Sequence, residues 1–226
     1  MSMHTSNALS GNRESIFLVG ASGHCKVVID LVERQGKYEI SYLLDTDPHL
    51  KGNSFFGYPV IGSEHEILDN KDYHGIRAGI AAIGSNAIRA RVAAWLRERS
   101  IRLVSAIHPS AQVGRGVEIG DGTVVMAGAV INTDSWVGNN VIINTRASID
   151  HDCRISDGVH IAPGATLCGG VTVGPGTFVC AGATILPNLN IGRNCTIGAG
   201  AVVIKDVPDM ATVVGVPAKI IGKSSS

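Results

Sequence analysis

His151 and Asp152 stand side by side in the segment Ala147–Asp152, which reads ASIDHD. An imidazole with an ordinary pKa of about 6.5 can take a proton near neutral pH. A carboxylate beside it can orient the ring or favour its protonated form. Such a pair suits a reaction in which a nucleophile loses a proton as it attacks. A second histidine, His160, lies nine residues further on, and Gly169 lies eighteen after His151. Nearer the N-terminus the stretch Gly20-Ala21-Ser22-Gly23-His24 forms a Gly-rich turn, and Asp45 follows about twenty residues later. A turn of this kind offers backbone N–H groups and a helix N-terminus to a phosphate. The turn lacks the GxGxxG spacing. Each feature also has a plain reading: a corner or surface histidine, a corner glycine, a tight turn with no ligand. The elements that position them decide between these.

From Ala111 to Asp206 the chain is an unbroken run of sixteen six-residue repeats. The third position is Val, Ile or Leu in all sixteen, and the sixth is Gly, Asn or Asp in fifteen, with Arg146 the exception. A strict six-residue period fits neither a 3.6-residue helix nor long alternating strands; it fits a parallel β-helix with one short strand and one corner per repeat. The corners need φ > 0, which Gly adopts freely and Asn or Asp tolerate. With three repeats per triangular coil, residues eighteen apart stack in register, so Val113, Ile131, Ile149, Leu167, Ile185 and Val203 form one internal aliphatic ladder. At about 4.8 Å per layer the prism is roughly 25 Å tall. Aliphatic ladders fill such a prism, so function belongs to its outer faces or to the space between copies. His151, at a fifth position, projects outward, and Gly169 stacks one layer above it. His160 falls on the opposite side of the same prism. In a threefold assembly the His160 side of one copy can meet the His151 corner of the next.

Before the repeats, apolar runs alternate with helical patterns. Ile16–Gly20, Glu39–Leu44, Pro59–Ile61, Ile76–Gly84 and Ile101–Ala106 read as strands. Lys26–Gln35 with Gly36 as its stop, Glu64–Asn70, and Ala87–Arg99 capped by Asn86 read as helices. Strands alternating with helices predict a small parallel α/β sheet. The expected division is a flexible tail over 1–15, a Rossmann-like nucleotide-binding domain over 16–107 and the β-helix with its C-terminal tail over 108–226. A domain of about ninety residues suits a mononucleotide better than a dinucleotide. Net charge is zero with histidine neutral, which gives no electrostatic case for nucleic acid or an anionic membrane. No segment is long and apolar enough to insert in a bilayer, and there is no signal core. Four of the five cysteines sit at first or fourth repeat positions, where small residues recur, and none has CxxC spacing. They read as reduced space-fillers in a cytoplasmic protein.

The repeat pattern resembles the hexapeptide-repeat acyltransferases. The order GASGH, LLDTD, IGSNAIR, IHPS, INT, IDHD, repeats, VGVPAK narrows the likeness. From about Ile16 to Lys219 the chain is similar to the UDP-4-amino-sugar N-acetyltransferases and sialic-acid-cluster acetyltransferases of the PglD/NeuD type. The resemblance implies a left-handed parallel β-helix, although the general preference for right-handed crossovers points the other way. It also implies a homotrimer with active sites between subunits, acetyl-CoA as co-substrate and no metal. The acceptor is the 4-amino group of a UDP- or GDP-linked sugar used in surface-glycan synthesis.

Residue by residue, the resemblance makes His151 the general base, Asp152 its partner and Asn144 a residue facing the acceptor. Relatives more often carry Glu at the position of Asp152. His160, Gly169, Ala181 and Ala199 take the acetyl-CoA positions, with the Gly169 N–H toward the thioester carbonyl. Ser22, Gly23, His24, Asp45, Thr46, Gly84 and Ser85 take the nucleotide-sugar positions; Thr46 stands where relatives often have a second acid. Two alternatives stay open. One is O-acetylation of a sialic-acid-type sugar on the same scaffold. The other is a metal-bearing or noncatalytic β-helix, although His151 and His160 are the only histidines in the repeats.

Overall fold

The computed structural model describes residues 13–68 and 75–223. Most of the expected tail, and the end of the helix expected over 64–70, lie outside these residues.

Strand β1 (Glu14–Val19) lies between β2 (Tyr38–Leu44) and β5 (Ala78–Ala81), with β6 (Arg102–Leu103) outermost, and all four run parallel. Helix α1 (Gly23–Gln35) links β1 to β2, and α3 (Asn86–Glu98) links β5 to β6. The alternation of side chains along a strand assigns the two faces. Ile16 and Leu18 pack with α1, while Phe17 and Val19 pack with the α3 side around Leu96. Gly36 ends α1 in the left-handed conformation, φ 67°, donating its N–H to Val32 O at 3.0 Å.

Three sequence expectations shift in position. Asn86 does not cap α3; Ser85 does, accepting the Ile88 N–H. The Asn86 amide instead donates across to Gly176 O and Thr177 O at 3.0 and 3.2 Å. The expected strand Pro59–Ile61 becomes a hairpin of β3 (Ser54–Phe55) and β4 (Tyr58–Pro59), with a single parallel bridge from Val60 to Leu43. Phe56 and Gly57, both at positive φ, make its two-residue turn. The run Ile101–Ala106 splits, because Ser105 donates to Gly120 O at 2.7 Å and the following strand, Ala106–Ile107, joins the solenoid. The short helix α2 (Glu64–Leu68) precedes β5.

The repeats fold as a three-faced parallel solenoid. The first face continues from Ala106–Ile107, the second has six strands from Gln112–Val113 to Val202–Val203, and the third has five from Glu118–Ile119 to Asn190–Ile191. Val113, Ile131, Ile149, Leu167, Ile185 and Val203 pair in this order up the second face, and all but Val113 are buried. Val113 is left exposed on the bottom rung, with no coil beneath to cover it. Every sixth-position residue from Gly116 to Gly200 has φ between 50° and 75°, Arg146 included. The corner geometry is thus imposed by the stack, even on a residue that does not favour it. Ala211–Val214 adds a last parallel strand to the first face, and Lys219–Lys223 turns back antiparallel along it.

The first face does not meet solvent. Val124, Met126 and Ile142 on its outer side share one buried cluster with Cys25, Val28 and Ile29 of α1. The N-terminal domain therefore occupies one side of the prism and leaves the second and third faces uncovered by its own chain.

Candidate functional site

The exposed corner between the second and third faces carries His151. Its Nδ1 lies 2.7 Å from Asp152 Oδ2, and the side chain is 58% exposed. Asp152 occupies the left-handed corner position at φ 58°. Asp150 sits behind, accepting from Asn132 Nδ2 and from the His151 N–H, both at 2.9 Å. The bond to Asp152, then the charge of Asp150, raises the His151 pKa above its ordinary value. With the Nδ1 proton held by Asp152, the lone pair belongs to Nε2. Gly169 packs directly over this ring: a Cβ there would stand 2.7 Å from both His151 Nε2 and Cε1. Only glycine permits that approach. The Gly169 N–H has no acceptor among the described residues.

His160 lies in different surroundings. It is on the first face, in register with Ile142 below and Phe178 above, and it is buried beneath the N-terminal domain. Its ring centroid lies 4.9 Å from that of Phe178 and 6.4 Å from that of His24. The Thr145 N–H donates to Asn144 Oδ1 at 2.8 Å, which turns the Asn144 Nδ2 to within 3.1 Å of His160 Nε2. Burial, followed by the charge of Arg89 and by His24, lowers the His160 pKa to about 3; burial and Arg89 lower that of His24 to about 4. Both rings are neutral at pH 7, and His24 Nε2 is buried without a hydrogen-bond partner among the described residues. Asn144 donates to His160, so the neutral ring accepts at Nε2 and carries its proton on Nδ1.

Arg89 ties the two domains together at this place and was not among the sequence candidates. Only 1% exposed, it donates to the carbonyls of Ile83, Gly84, Asn140 and Gly158 and to Asn86 Oδ1, at 2.9–3.2 Å. A signal existed: Arg89, Val92, Ala93 and Leu96 share one helical face, and three of the four are apolar.

The Gly-rich turn lies at the top of β1, where Gly20 adopts φ 106° and a Cβ would approach Ala82 O to 3.0 Å. Asp45 braces it, accepting the Ala21 N–H on Oδ2 at 2.7 Å and the Asp47 N–H on Oδ1 at 2.9 Å. Ser22 and Gly23 are exposed at the start of α1, and the Ser22 hydroxyl makes no capping bond. A cleft of about 200 Å³ runs along Gly20, Ser22, Asp45 and Thr46. A second, of about 450 Å³, opens between the domains along Gly84, Ser85, Phe178 and Thr196. Gly84 lies against His24, where an added Cβ would meet the His24 Cβ at 3.8 Å.

Apart from the nucleotide-sugar candidates along these clefts, the candidates gather in two places within one chain. His151, Asp152 and Gly169 share the corner between the second and third faces. Asn144, Ala181 and Ala199 share the corner between the first and second, where Gly200 N–H donates to Ala181 O at 2.9 Å. His160, His24 and Gly84 adjoin this second group on the first face. The second face separates the two groups. Among the described residues no three His, Cys, Asp or Glu side chains are placed to hold a metal, and no helix is long and apolar enough to cross a membrane. All five cysteines are free, and burial pushes the Cys25 and Cys153 thiols up to about 12 and about 11.

A Gly-rich-turn α/β domain seated on one face of a six-residue-repeat solenoid defines a class of two-domain β-solenoid proteins. The comparisons place the chain within it. Residues 15–96 match the PglD N-terminal domain family, and 134–169 and 170–205 match the bacterial transferase hexapeptide family. A mutant of perosamine N-acetyltransferase from Caulobacter crescentus, solved with CoA and GDP-perosamine, superposes with a TM-score of 0.87 at 39% identity, covering 92% of this chain and 97% of that one. The acetyltransferase domain of PglB from Neisseria gonorrhoeae superposes at 0.85 and 36% identity, covering 92% and 100%. UDP-N-acetylbacillosamine N-acetyltransferase from Bacillus subtilis is 37% identical over 120 residues, 50% of this chain and 52% of that protein. The chain spans about half the length of the curated relatives it matches. It belongs to the hexapeptide-repeat acetyltransferases with a PglD-type N-terminal domain.

Proposed function

We propose that the protein transfers the acetyl group of acetyl-CoA to the 4-amino group of a nucleotide-linked sugar. The observation that carries this reading is the exposed His151–Asp152 pair at 2.7 Å, with Gly169 laid against the ring. Asp152 holds the Nδ1 proton, and His151 Nε2 takes the proton of the acceptor nitrogen as the N–C bond forms. The same ring returns it to the departing sulfur as the C–S bond breaks. The unpaired Gly169 N–H supports its role toward the thioester carbonyl, because a fixed backbone donor stabilises charge developing on that oxygen. Ser22, Gly23, Asp45 and Thr46 hold the nucleotide, and His24, Gly84 and Ser85 lead from it toward the sugar. The solved relative with CoA and GDP-perosamine bound supports both ligand classes.

The active site lies between copies of a homotrimer. The separation of the two candidate groups supports this. A threefold axis brings the His151 corner of one copy toward the corner of the next that bears Asn144, Ala181 and Ala199, with His160 beside it. The N-terminal domain already covers the first face, so the second and third are the surfaces left for neighbours. The setting is cytoplasmic surface-glycan synthesis, in which amino sugars are carried on nucleotides.

The His151→Ala variant tests the reading. Turnover with acetyl-CoA and a nucleotide-linked 4-amino sugar is expected to fall about 100-fold or more, with acetyl-CoA affinity retained. Unchanged turnover removes His151 from the chemistry, and a fully active monomer removes the shared site.

A further inference from the structure

Glu64 is the buried acid that the mechanism above does not use. It opens α2, is 5% exposed, and lines the 200 Å³ cleft that starts at Gly20 and Ser22. That cleft meets a neighbouring one of about 420 Å³, and Thr46, Glu64, Ile88 and Val92 belong to both. Glu64 Oε1 lies 3.9 Å from His65 Nε2, beyond hydrogen-bond reach, and Oε2 is buried with no hydrogen-bond partner among the described residues. A buried carboxylate oxygen without a donor is costly to maintain. Ile88 and Val92 lie on the helix opposite, His65, Arg91 and Trp95 line the neighbouring cleft, and the Gly-rich turn lies at the other end of the same trough.

We infer that Glu64 reads the base of the nucleotide and selects guanine; this rests on the reading of the Gly20–Ser22 turn as a nucleotide site. A carboxylate only accepts hydrogen bonds, so it fits a base edge with two adjacent donors. Guanine offers N1–H beside its 2-amino group, which match the two oxygens of one carboxylate. Uracil offers a single N–H flanked by two carbonyl oxygens, and those would face the carboxylate lone pairs. Ile88 and Val92 supply the apolar surface on which a flat base can lie.

Calorimetric titration of the full chain with GDP, IDP and UDP tests this. GDP is expected to bind about tenfold or more tightly than UDP, with IDP, which lacks only the 2-amino group, in between. In Glu64→Gln the preference for GDP over UDP is expected to collapse while thermal stability is kept. The comparison of nucleotides on the unaltered chain stands even if the variant fails to fold. UDP binding as well as GDP, IDP binding as well as GDP, or an unchanged preference in a folded Glu64→Gln variant would each overturn the assignment and leave the nucleotide site standing. Failure of all three nucleotides to bind the unaltered chain would overturn the nucleotide site itself, and the assignment with it.

Discussion

His151 stands on an open corner beside two carboxylates, whereas His24 and His160 face each other beneath the N-terminal domain beside Arg89. The same side chain is pushed in opposite directions by these two places. On the corner, the bond to Asp152 and the charge of Asp150 favour the imidazolium. Under the domain, loss of water and a nearby guanidinium forbid it. The solenoid thus carries a readily protonated ring at this bare corner. Where its face is covered, it provides neutral rings able to give or take a hydrogen bond without gaining charge.

The largest break in this contrast is expected from Arg89→Leu. It removes five hydrogen bonds and leaves the carbonyls of Ile83, Gly84, Asn140 and Gly158 without that donor in a buried joint. A loss of about 3 kcal/mol or more in unfolding free energy should appear in denaturant melts. Removing the cation should also let His24 and His160 protonate more readily. A smaller effect comes from acid alone. Histidines in the unfolded chain titrate near 6.5, but His24 and His160 in the folded one titrate near 4 and 3. Their contribution is therefore complete above about pH 6.5 and is lost as pH falls toward 4 and 3, at up to about 1.4 kcal/mol per pH unit for each ring. Melts at pH 7, 6 and 5 should show this slope, and His160→Asn should flatten it. The smallest effect sharpens the other side. Asp152→Asn removes the group that contributes most to raising the His151 pKa, so the rising limb of kcat/KM against pH should move to lower pH, with turnover reduced by less than in His151→Ala.

The stack was legible in the sequence because its period is covalent. The aliphatic ladder and the left-handed corners follow from counting in sixes and eighteens, and so does the approach of Gly169 to His151. The Asn144–His160 contact follows from the same count, since His160 pairs with Ile142 two residues before Asn144, but it needs the side-chain directions as well. The joint between the domains was not legible. Arg89 and Asn86 look like ordinary helix residues until a separate domain meets them, and the burial of His160 depends on α1 lying over the first face. Periodicity reports contacts along the chain; it carries no signal for surfaces that meet from distant parts of it.

The eighteen-residue coil also governs which length changes the chain can absorb. Deleting one whole coil from a layer that bears no candidate would shorten the prism and leave every later column above its old neighbour. Deleting a single six-residue repeat would carry each later column round to the next corner, so Ala181 and Ala199 would no longer stand over Thr145. Insertions and deletions at the genetic level are thus filtered by threes of the repeat, although each repeat by itself looks interchangeable.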